Sequence, residues 1–500
     1  WWPLAFVAVV PLAWVVVRGS RRQALLGGFV GGLLAGGAAV HWLALFGVVP
    51  WLATGVGFGL SGLVFAAVGR LLACRGRLSP LLWLPVVWVG AAWLRGHLFF
   101  WAFPWFYLGQ AIWPLDAVLQ IAELGGQSLV SLLVALVNGW LLAVLIAPSP
   151  AARRRTLRLG VLPAALLLAA FAYGRWRLAH IELTDGPLVL VAQPNIPQHL
   201  KDASVYDPEK RLRDLTRLTI DAGARTRATI DLVLWPETML PVYRSTDPAL
   251  PYAALDRVPQ LRSWLASILR RIRARALITG SRHVELRDGE VYEHNSAFCL
   301  DPQGELLCRY DKMRLAPVSE YTPFRELWPA FYRFVREHFT PGFTQFEAGS
   351  GPVLCRIGRW RIAPNVCFDI MFPDVVRRAV AAGADAVVNV SNYAWFEASA
   401  ELDLAIVHGK LRAIETRRAV AASVNGGVSH FVDADGRVIE LRGVGGRRKQ
   451  VEATGLHRLR TSTERTPFVR WGDVGGRGSV ALAAVLALWS LVRGGRRPRA

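Results

Sequence analysis

The chain has 500 residues, of which 53% are hydrophobic and 19% are charged, and it contains 20 tryptophans. This composition is too apolar for a soluble protein of that length and indicates a membrane protein with a soluble portion. The formal net charge is +21. Many of the basic residues stand in short clusters between apolar segments, which is typical of cytoplasmic loops and contact with anionic lipid rather than nucleic-acid binding. The sequence has no zinc-ligand spacing and no Walker or dinucleotide glycine pattern, so we expect no metal, no cofactor and no nucleic-acid partner.

Seven apolar segments are long enough to cross a membrane. They cover residues 1–17, 23–46, 51–69, 80–97, 127–147, 157–174 and 476–493. The stretch 98–121 is aromatic and broken, and is better explained as an interfacial or re-entrant loop. We therefore predict membrane helices over 1–175, and a last membrane helix with a basic cytoplasmic tail over 476–500.

Basic clusters predict the orientation of these spans. They follow the first, third, fifth and last segments, at 18–22, 70–77, 153–155 and 493–499. If all four lie in the cytoplasm, seven spans alternate without conflict and residues 176–475 lie on the outer side. The same alternation places Trp1 outside, and the chain starts without Met, so we expect the first span of the full-length protein to be missing.

Between about 185 and 455 short β-rich runs alternate with polar, helix-compatible stretches. The predicted strands are 187–192, 230–235, 276–280, 296–300, 306–310, 353–357, 361–366, 386–391, 419–424 and 429–433, and the predicted helices are 208–226, 258–275, 373–382 and 401–417. Such alternation in one continuous region predicts a layered α/β domain.

The five cysteines show no repeated spacing, so they imply no disulfide framework. They are Cys74, Cys299, Cys308, Cys355 and Cys367. Cys299 and Cys308 flank a predicted turn at 301–304 and could face each other. Their pairing is left open.

Three stretches of the soluble half carry candidate chemical groups, each at the edge of a predicted strand. Glu237 ends Leu234-Trp235-Pro236-Glu237, Lys312 follows Tyr310-Asp311, and Cys367 follows an apolar run. A carboxylate that takes a thiol proton, an ammonium that steadies negative charge and a thiol that carries an acyl group are the parts of thiol acyl transfer.

Each group also has a structural explanation. Glu237 could cap a helix, Lys312 could pair with Asp311 at the surface, and Cys367 could be a small core residue, since free cysteine is among the most buried residue types. Taken singly, these explanations are at least as good. The order Glu, Lys, Cys and the spacing of the three favour the chemical one.

In these contexts the three residues resemble the Glu-Lys-Cys triad of the nitrilase (carbon–nitrogen hydrolase) superfamily, whose domain is an αββα sandwich. With a polytopic membrane half attached, the chain resembles the apolipoprotein N-acyltransferase family. The likeness extends to stretches 95–109, 193–198, 295–297, 315–320, 391–396 and 412–425. The fold implied is a polytopic α-helical membrane domain plus an α/β nitrilase-like αββα sandwich over 176–475.

The resemblance implies transfer of a fatty acyl chain from a phospholipid, typically phosphatidylethanolamine, to the N-terminal amine of a diacylglyceryl-cysteine lipoprotein. Cys367 would carry the acyl group as a thioester, and Glu237 would be the general base. Lys312 and the backbone N–H of Phe368 would form the oxyanion site, supported by Glu320. The implied location is a bacterial inner membrane, crossed several times, with the catalytic domain in the periplasm.

The sequence departs from the family pattern near the triad. Tyr393 and Glu397 stand where the family usually has Asp and Gly, and Phe368-Asp369 replaces the usual Tyr-Glu. We expect Tyr393, Trp395, Phe396 and Glu397 to bind substrate. The departures at Phe368, Asp369, Tyr393 and Glu397 are expected to shape the choice of acyl acceptor.

Two other classes of function fit less well. One is a membrane-tethered amidase of the nitrilase type, or an acyltransferase for another amine, which product analysis would separate from the lipoprotein enzyme. The other is an inactive scaffold that binds lipoproteins, and the intact Glu237, Lys312 and Cys367 argue against it.

Overall fold

The computed structural model describes residues 2–97, 102–198, 208–240, 259–287, 290–317, 319–322, 328–338 and 345–495. The chain divides into two compact units, Trp1–Ile181 with Thr466–Ala500, and Glu182–Arg465. The first unit is helical, and the second contains all the strands of the described chain.

Helices account for nearly all of the first unit. They are α1 (Val10–Arg18), α2 (Arg21–Ala39), α3 (Val48–Arg70), α4 (Pro80–His97), α5 (Leu108–Ala111), α6 (Asp116–Leu119), α7 (Ala122–Gly125), α8 (Gln127–Leu145), α9 (Pro150–Arg158), α10 (Val161–His180) and the C-terminal pair Pro467–Trp471 and Val474–Gly495. Short 3₁₀ helices at Trp2–Phe6 and His41–Phe46 and a π-helical turn at Leu71–Arg75 complete the set. Every predicted membrane span coincides with one or more of these helices.

Four stretches of the described chain are long and apolar enough to cross a membrane. They are Val48–Arg75, Gln127–Leu145, Pro150–His180 and Val474–Arg493, and Trp2–Arg18 is a shorter apolar helical stretch. Of the predicted loop at 98–121, residues 98–101 lie outside the described residues. The helices in the rest of that loop are α5 and α6, each of which is four residues long.

The described residues of the second unit form twelve strands. They are β1 (Thr184–Gln193), β2 (Leu232–Leu234), β3 (Leu277–Arg287), β4 (Glu290–Leu300), β5 (Leu306–Asp311), β6 (Cys355–Ile357), β7 (Trp360–Val366), β8 (Ala386–Asn392), β9 (Ala419–Asn425), β10 (His430–Val432), β11 (Val438–Glu440) and β12 (Ala453–Thr461). One six-stranded sheet has the order β12-β1-β2-β3-β4-β5, and the other has the order β11-β10-β9-β8-β7-β6.

The described residues of the second unit also form five α-helices. They are α11 (Pro208–Gly223), α12 (Pro259–Arg271), α13 (Pro329–His338), α14 (Pro373–Ala381) and α15 (Glu401–Thr416). The first two share an apolar core with the first sheet, whereas α14 and α15 contact β7 and β9 of the second sheet. A separate apolar core lies between the sheets. The predicted αββα sandwich is confirmed.

The central strands are buried on both faces, which explains their continuous apolar runs. In β1, Val189 and Val191 lie in the core between the sheets, whereas Leu188 and Leu190 lie in the core under the helices. β1, β2 and β3 are parallel, and so are β7, β8 and β9. Side chains that follow parallel strands lie at the same edge of an α/β sheet, and such proteins usually have their ligand-binding or active sites at that edge.

All ten predicted strands overlap observed ones, but β11 and β12 escaped prediction. β12 pairs antiparallel with β1 at the edge of its sheet. Its residues Arg458 and Arg460 give it the polar pattern of a solvent-facing segment, which hid it from a search for apolar runs.

The cysteine spacing implied no disulfide framework and left only a Cys299–Cys308 pairing open, but the structure contains one disulfide between a different pair. Cys308 on β5 is bonded to Cys355 on β6, with Cα atoms 5.5 Å apart. Cys299 does lie directly across from Cys308 in the β4–β5 ladder, but its thiol is free. The bond links the two sheets at their edge strands, a relation that no local spacing could reveal.

Candidate active site

Cys367 begins a 3₁₀ helix, Cys367–Met371, directly after β7. Its φ of +51° is a left-handed conformation that is costly for a residue with a side chain. The side chain is half-buried. Burial, and then the negative charge of Glu237, raise the pKa of the thiol well above its usual value, although Lys312 opposes them. The resting sulfur is therefore protonated and requires a base before it can attack.

Glu237 lies in a tight turn after β2 and is buried. The turn is bound to β3, since Met239 N–H donates to Gly280 O and Gly280 N–H donates to Pro236 O, at 2.8 and 3.0 Å. A Cβ atom at position 280 would lie 2.5 Å from Glu237 Cα, so only glycine permits this approach. The Glu237 carboxylate accepts a hydrogen bond of 2.8 Å from Asn392 N–H at the end of β8.

Lys312 follows β5 and is buried with its ammonium against Glu320, at 2.8 Å. Its backbone is fixed on both sides: Lys312 N–H donates to Asn295 O, and Lys312 O accepts from Gly349 N–H, each at 2.8 Å. Burial alone would lower the pKa of Lys312, but Glu320 and the other negative groups of the site outweigh it and raise the pKa. Lys312 is thus a fixed positive charge inside the domain.

Asn295 joins the two glutamates of the site. Its Nδ2 donates to Glu237 Oε1 at 2.6 Å and to Glu320 Oε1 at 2.8 Å. Glu320 is further held by Ala316 N–H, which donates to its Oε2 at 2.7 Å. In the sequence Asn295 was notable only as part of a family-like stretch. Its role depends on the pairing of β4 with β5, which local sequence does not contain.

Asp369, two residues after Cys367, is completely buried. Its carboxylate accepts hydrogen bonds from Tyr310 OH at 2.7 Å and from the N–H groups of Arg314 and Val366 at 2.8 and 3.3 Å. Burial raises its pKa to about 6, against the opposing effect of Lys312 and of these hydrogen bonds. The side chain thereby ties the segment after Cys367 to the strand that precedes Lys312.

The remaining predicted residues line the surroundings of this group. Phe368 is buried and packs edge-to-face on Phe372, with ring centroids 5.0 Å apart. Tyr393 is buried, and the pKa of its phenol is raised by burial and by the nearby Cys367.

Trp395, Phe396 and Glu397 follow Tyr393 on the short 3₁₀ helix Ala394–Phe396 and its end. Tyr393 packs edge-to-face on Phe396, whereas Trp395 and Glu397 are exposed. The structure thus brings Glu237, Lys312, Glu320, Cys367 and Tyr393 into one site, and Trp395 and Glu397 lie at the surface beyond it.

Comparison with known proteins identifies the family to which the chain belongs. Residues 189–447 match the model of the carbon–nitrogen hydrolase family. This range covers the whole site and all the strands of the sandwich except β12 and the start of β1. Residues 1–140 match the apolipoprotein N-acyltransferase N-terminal domain.

Two relatives match over nearly their whole length. An apolipoprotein N-acyltransferase of Geobacter metallireducens is 32% identical over 97% of this chain and 90% of its own. One of Gloeobacter violaceus is 31% identical over 100% of this chain and 92% of its own. The chain belongs to the apolipoprotein N-acyltransferase family, within the carbon–nitrogen hydrolases. Among solved structures, an amidase from Nesterenkonia sp. is 20% identical, covering 57% of this chain and 94% of that chain, with a TM-score of 0.38.

Proposed function

We propose that this protein is a membrane acyltransferase that moves a fatty acyl chain from a phospholipid to the N-terminal amine of a diacylglyceryl-cysteine lipoprotein. The observation that carries the proposal is that Glu237, Lys312 and Cys367, each of which follows a strand, lie together in one site. Family membership supports the acceptor, because the relatives are named for N-acylation of apolipoproteins. Helices apolar enough to cross a membrane support a lipid donor.

In the first half-reaction Glu237 takes the thiol proton and Cys367 Sγ attacks the ester carbonyl carbon of the phospholipid. The negative charge that develops on the carbonyl oxygen is stabilised by the Lys312 ammonium and the Phe368 N–H. The ester C–O bond then breaks, and the proton on Glu237 passes to the leaving oxygen. The products are a thioester on Cys367 and a lysophospholipid.

In the second half-reaction the free amine of the lipoprotein attacks the thioester carbonyl. Glu237 accepts the amine proton and returns it to the departing sulfur, so that an amide forms and the thiol is restored. Glu320 and Asn295 act as positioning residues, because they hold Lys312 and Glu237. The burial of the site and the acyl chains of the substrates keep water from the thioester.

We assign the membrane organisation on the same basis. The predicted regions are membrane helices over 1–175, a periplasmic catalytic domain over 176–475, and a membrane helix with a cytoplasmic tail over 476–500. The basic clusters at 18–22, 70–77, 153–155 and 493–499 support a multi-pass inner-membrane protein with its catalytic domain outside the cytoplasm. Phosphatidylethanolamine is the proposed donor.

The test is mass spectrometry of the purified full chain incubated with phosphatidylethanolamine alone. We expect one fatty acyl group on the peptide that contains Cys367, together with an equal amount of lysophospholipid. Cys367→Ala should yield neither product, whereas Cys74→Ala, which removes an exposed thiol of the helical unit, should behave like wild type.

Other outcomes would identify the competing functions. Folded wild-type protein that forms no acyl adduct would reject the thioester mechanism. Release of ammonia and a free acid from amides would indicate an amidase. Full biological activity of Cys367→Ala would indicate a scaffold.

A further inference from the structure

Three sulfur atoms meet in the core between the two sheets. Cys299 on β4, Cys308 on β5 and Cys355 on β6 have Sγ atoms that all lie within 4.8 Å of one another. Cys308 and Cys355 are bonded, and Cys299 is a buried thiol beside that bond. Nothing in the proposed acyl transfer uses these residues.

The disulfide lies on a face of β5 that also contacts the segment Cys367–Met371 after β7. Side chains alternate along a strand, so residues 308, 310 and 312 point to the same face of β5. Cys308 is bonded to Cys355, Tyr310 OH donates to Asp369 at 2.7 Å, and Lys312 lies in the site with Cys367. Cys308 therefore lies on the same face of the chain as Lys312, four residues before it, and the disulfide is on the side that faces Cys367.

Cys299 has the geometry of an alternative partner. It is paired directly with Cys308 in the antiparallel ladder of β4 and β5. Cα atoms of directly opposed residues in such a ladder lie about 4.5–5.5 Å apart, within the range that a disulfide spans. Cys308 can therefore bond across the sheets to Cys355 or along its own sheet to Cys299 with little backbone movement.

We propose that Cys299, Cys308 and Cys355 form a thiol–disulfide exchange site that controls how firmly the Lys312 strand is held against the sheet carrying Cys367. With the Cys308–Cys355 bond in place, the two sheets are fixed together beside the site. With the Cys299–Cys308 bond in its place, the covalent link is absent, and β5 is held against the second sheet only by noncovalent contacts such as the hydrogen bond from Tyr310 OH to Asp369. The control of activity rests on the proposed function, whereas the exchange itself does not.

The exchange requires no external oxidant or reductant. Cys299 Sγ, as thiolate, attacks Cys308 Sγ. The Cys308–Cys355 bond breaks, and Cys355 leaves as a thiolate that takes up the proton lost by Cys299. Burial raises the pKa of Cys299 to about 12. The thiolate is therefore scarce, and the exchange is slow.

Tryptic peptides separate the two forms cleanly. Peptide 288–309 contains both Cys299 and Cys308, and peptide 337–356 contains Cys355. The resting form gives these two peptides cross-linked, and the exchanged form gives peptide 288–309 alone, two hydrogens lighter than its dithiol. We expect both forms when the wild-type chain is equilibrated in glutathione redox buffer, alkylated and digested without reduction.

Two variants complete the test. Cys355→Ser should form the internal bond of peptide 288–309, and Cys299→Ser should give only the cross-linked or the fully reduced peptides. Two alkylated cysteines on peptide 288–309 of folded, oxidised Cys355→Ser would overturn the proposal. If that variant fails to fold, absence of the internal bond in wild type at every glutathione ratio overturns it.

The effect on activity is measured separately. We expect about a threefold to tenfold lower kcat for Cys355→Ser with little change in KM, and a rate within twofold of wild type for Cys299→Ser. An equal kcat for Cys355→Ser and wild type would overturn the control of activity. Failure of wild type to form any acyl adduct would refute the proposed function and leave the peptide result standing.

Discussion

Lys312 Nζ lies 2.8 Å from the Glu320 carboxylate, and both side chains are buried in the catalytic unit. Removing one partner of a buried ion pair leaves the other charge without compensation and costs about 3–5 kcal/mol. The pair therefore keeps a positive charge on Lys312 in the site, and the stability of that buried charge depends on Glu320.

We predict that Glu320→Gln lowers the rate of acyl-enzyme formation by about 100-fold or more, since each 1.36 kcal/mol is about tenfold in rate. The variant should also unfold at lower temperature. Glu305→Gln, which changes an exposed carboxylate on the turn between β4 and β5, is the matched control. A Glu320→Gln enzyme with wild-type kinetics would show that Lys312 keeps its charge and position without this partner.

Asn295 provides a second test, because its amide separates two carboxylates. We predict that Asn295→Asp is more damaging than Asn295→Ala, since a third carboxylate would face Glu237 and Glu320 where hydrogen bonds of 2.6 and 2.8 Å now lie. Like charges raise the pKa values of such a group, so lower pH should partly restore the aspartate variant by protonation. The measurement is kcat between pH 5.5 and 8. Equal losses in both variants at every pH would contradict this account.

Much of the fold follows from sequence pattern, because the buried strands are continuous apolar runs. Val189 and Leu190 face opposite cores, so no polar residue interrupts β1, and the strand is easily recognised. β12 has the opposite character: Arg458 and Arg460 are tolerated at a sheet edge, where one side is open to solvent.

The predicted triad residues were recognisable for a related reason, since each follows such an apolar run. Their partners were not, because the contacts join segments far apart in the chain. Cys308 and Cys355 are 47 residues apart and lie on different sheets. Asn295 reaches Glu237 across β3, and Asp369 reaches Tyr310 between sheets. Such pairs depend on sheet order and register, which the pattern of one segment does not determine.

Asp369 predicts a specific dependence of stability on pH. Its pKa is raised from 3.8 to about 6 in the folded protein, so the folded state binds this proton more tightly than the unfolded state. The resulting stabilisation is fully present below about pH 4 and is lost as the pH rises through about 6. At 1.36 kcal/mol per pKa unit it amounts to about 3 kcal/mol.

Thermal unfolding of wild type and Asp369→Asn at pH 4.5 and 7.5 tests this dependence. Wild type should lose more stability than Asp369→Asn over that interval, because asparagine has no proton to release. Groups common to both proteins cancel in the comparison. Parallel curves for the two proteins would indicate that the carboxyl does not titrate in this range.

The departures from the family pattern at Tyr393 and Glu397 predict that these positions influence which amine accepts the acyl group. Tyr393→Asp together with Glu397→Gly restores the usual family residues at these two positions. We expect the double variant to form the acyl-enzyme at a rate near that of wild type but to change its preference among lipoprotein-derived amines in the second half-reaction. Competition between two diacylated peptides that differ after the cysteine measures the change. An unaltered preference would assign these positions to packing alone.

Replacement of Glu397 by glycine should also stabilise the protein. The Glu397 backbone has φ +46° and ψ −137°, a conformation that residues with a Cβ rarely adopt. Such strain costs about 1–3 kcal/mol, which a glycine would relieve. About 0.5–1 kcal/mol of this gain is lost again, because glycine has more conformational freedom in the unfolded chain. Glu397→Gly should therefore stabilise the protein by about 1 kcal/mol, or a few degrees in Tm. Glu397→Ala removes the same charge but keeps the Cβ atom, so it should give no gain. If alanine stabilised the protein as much as glycine, the cause would be the carboxylate and not the backbone.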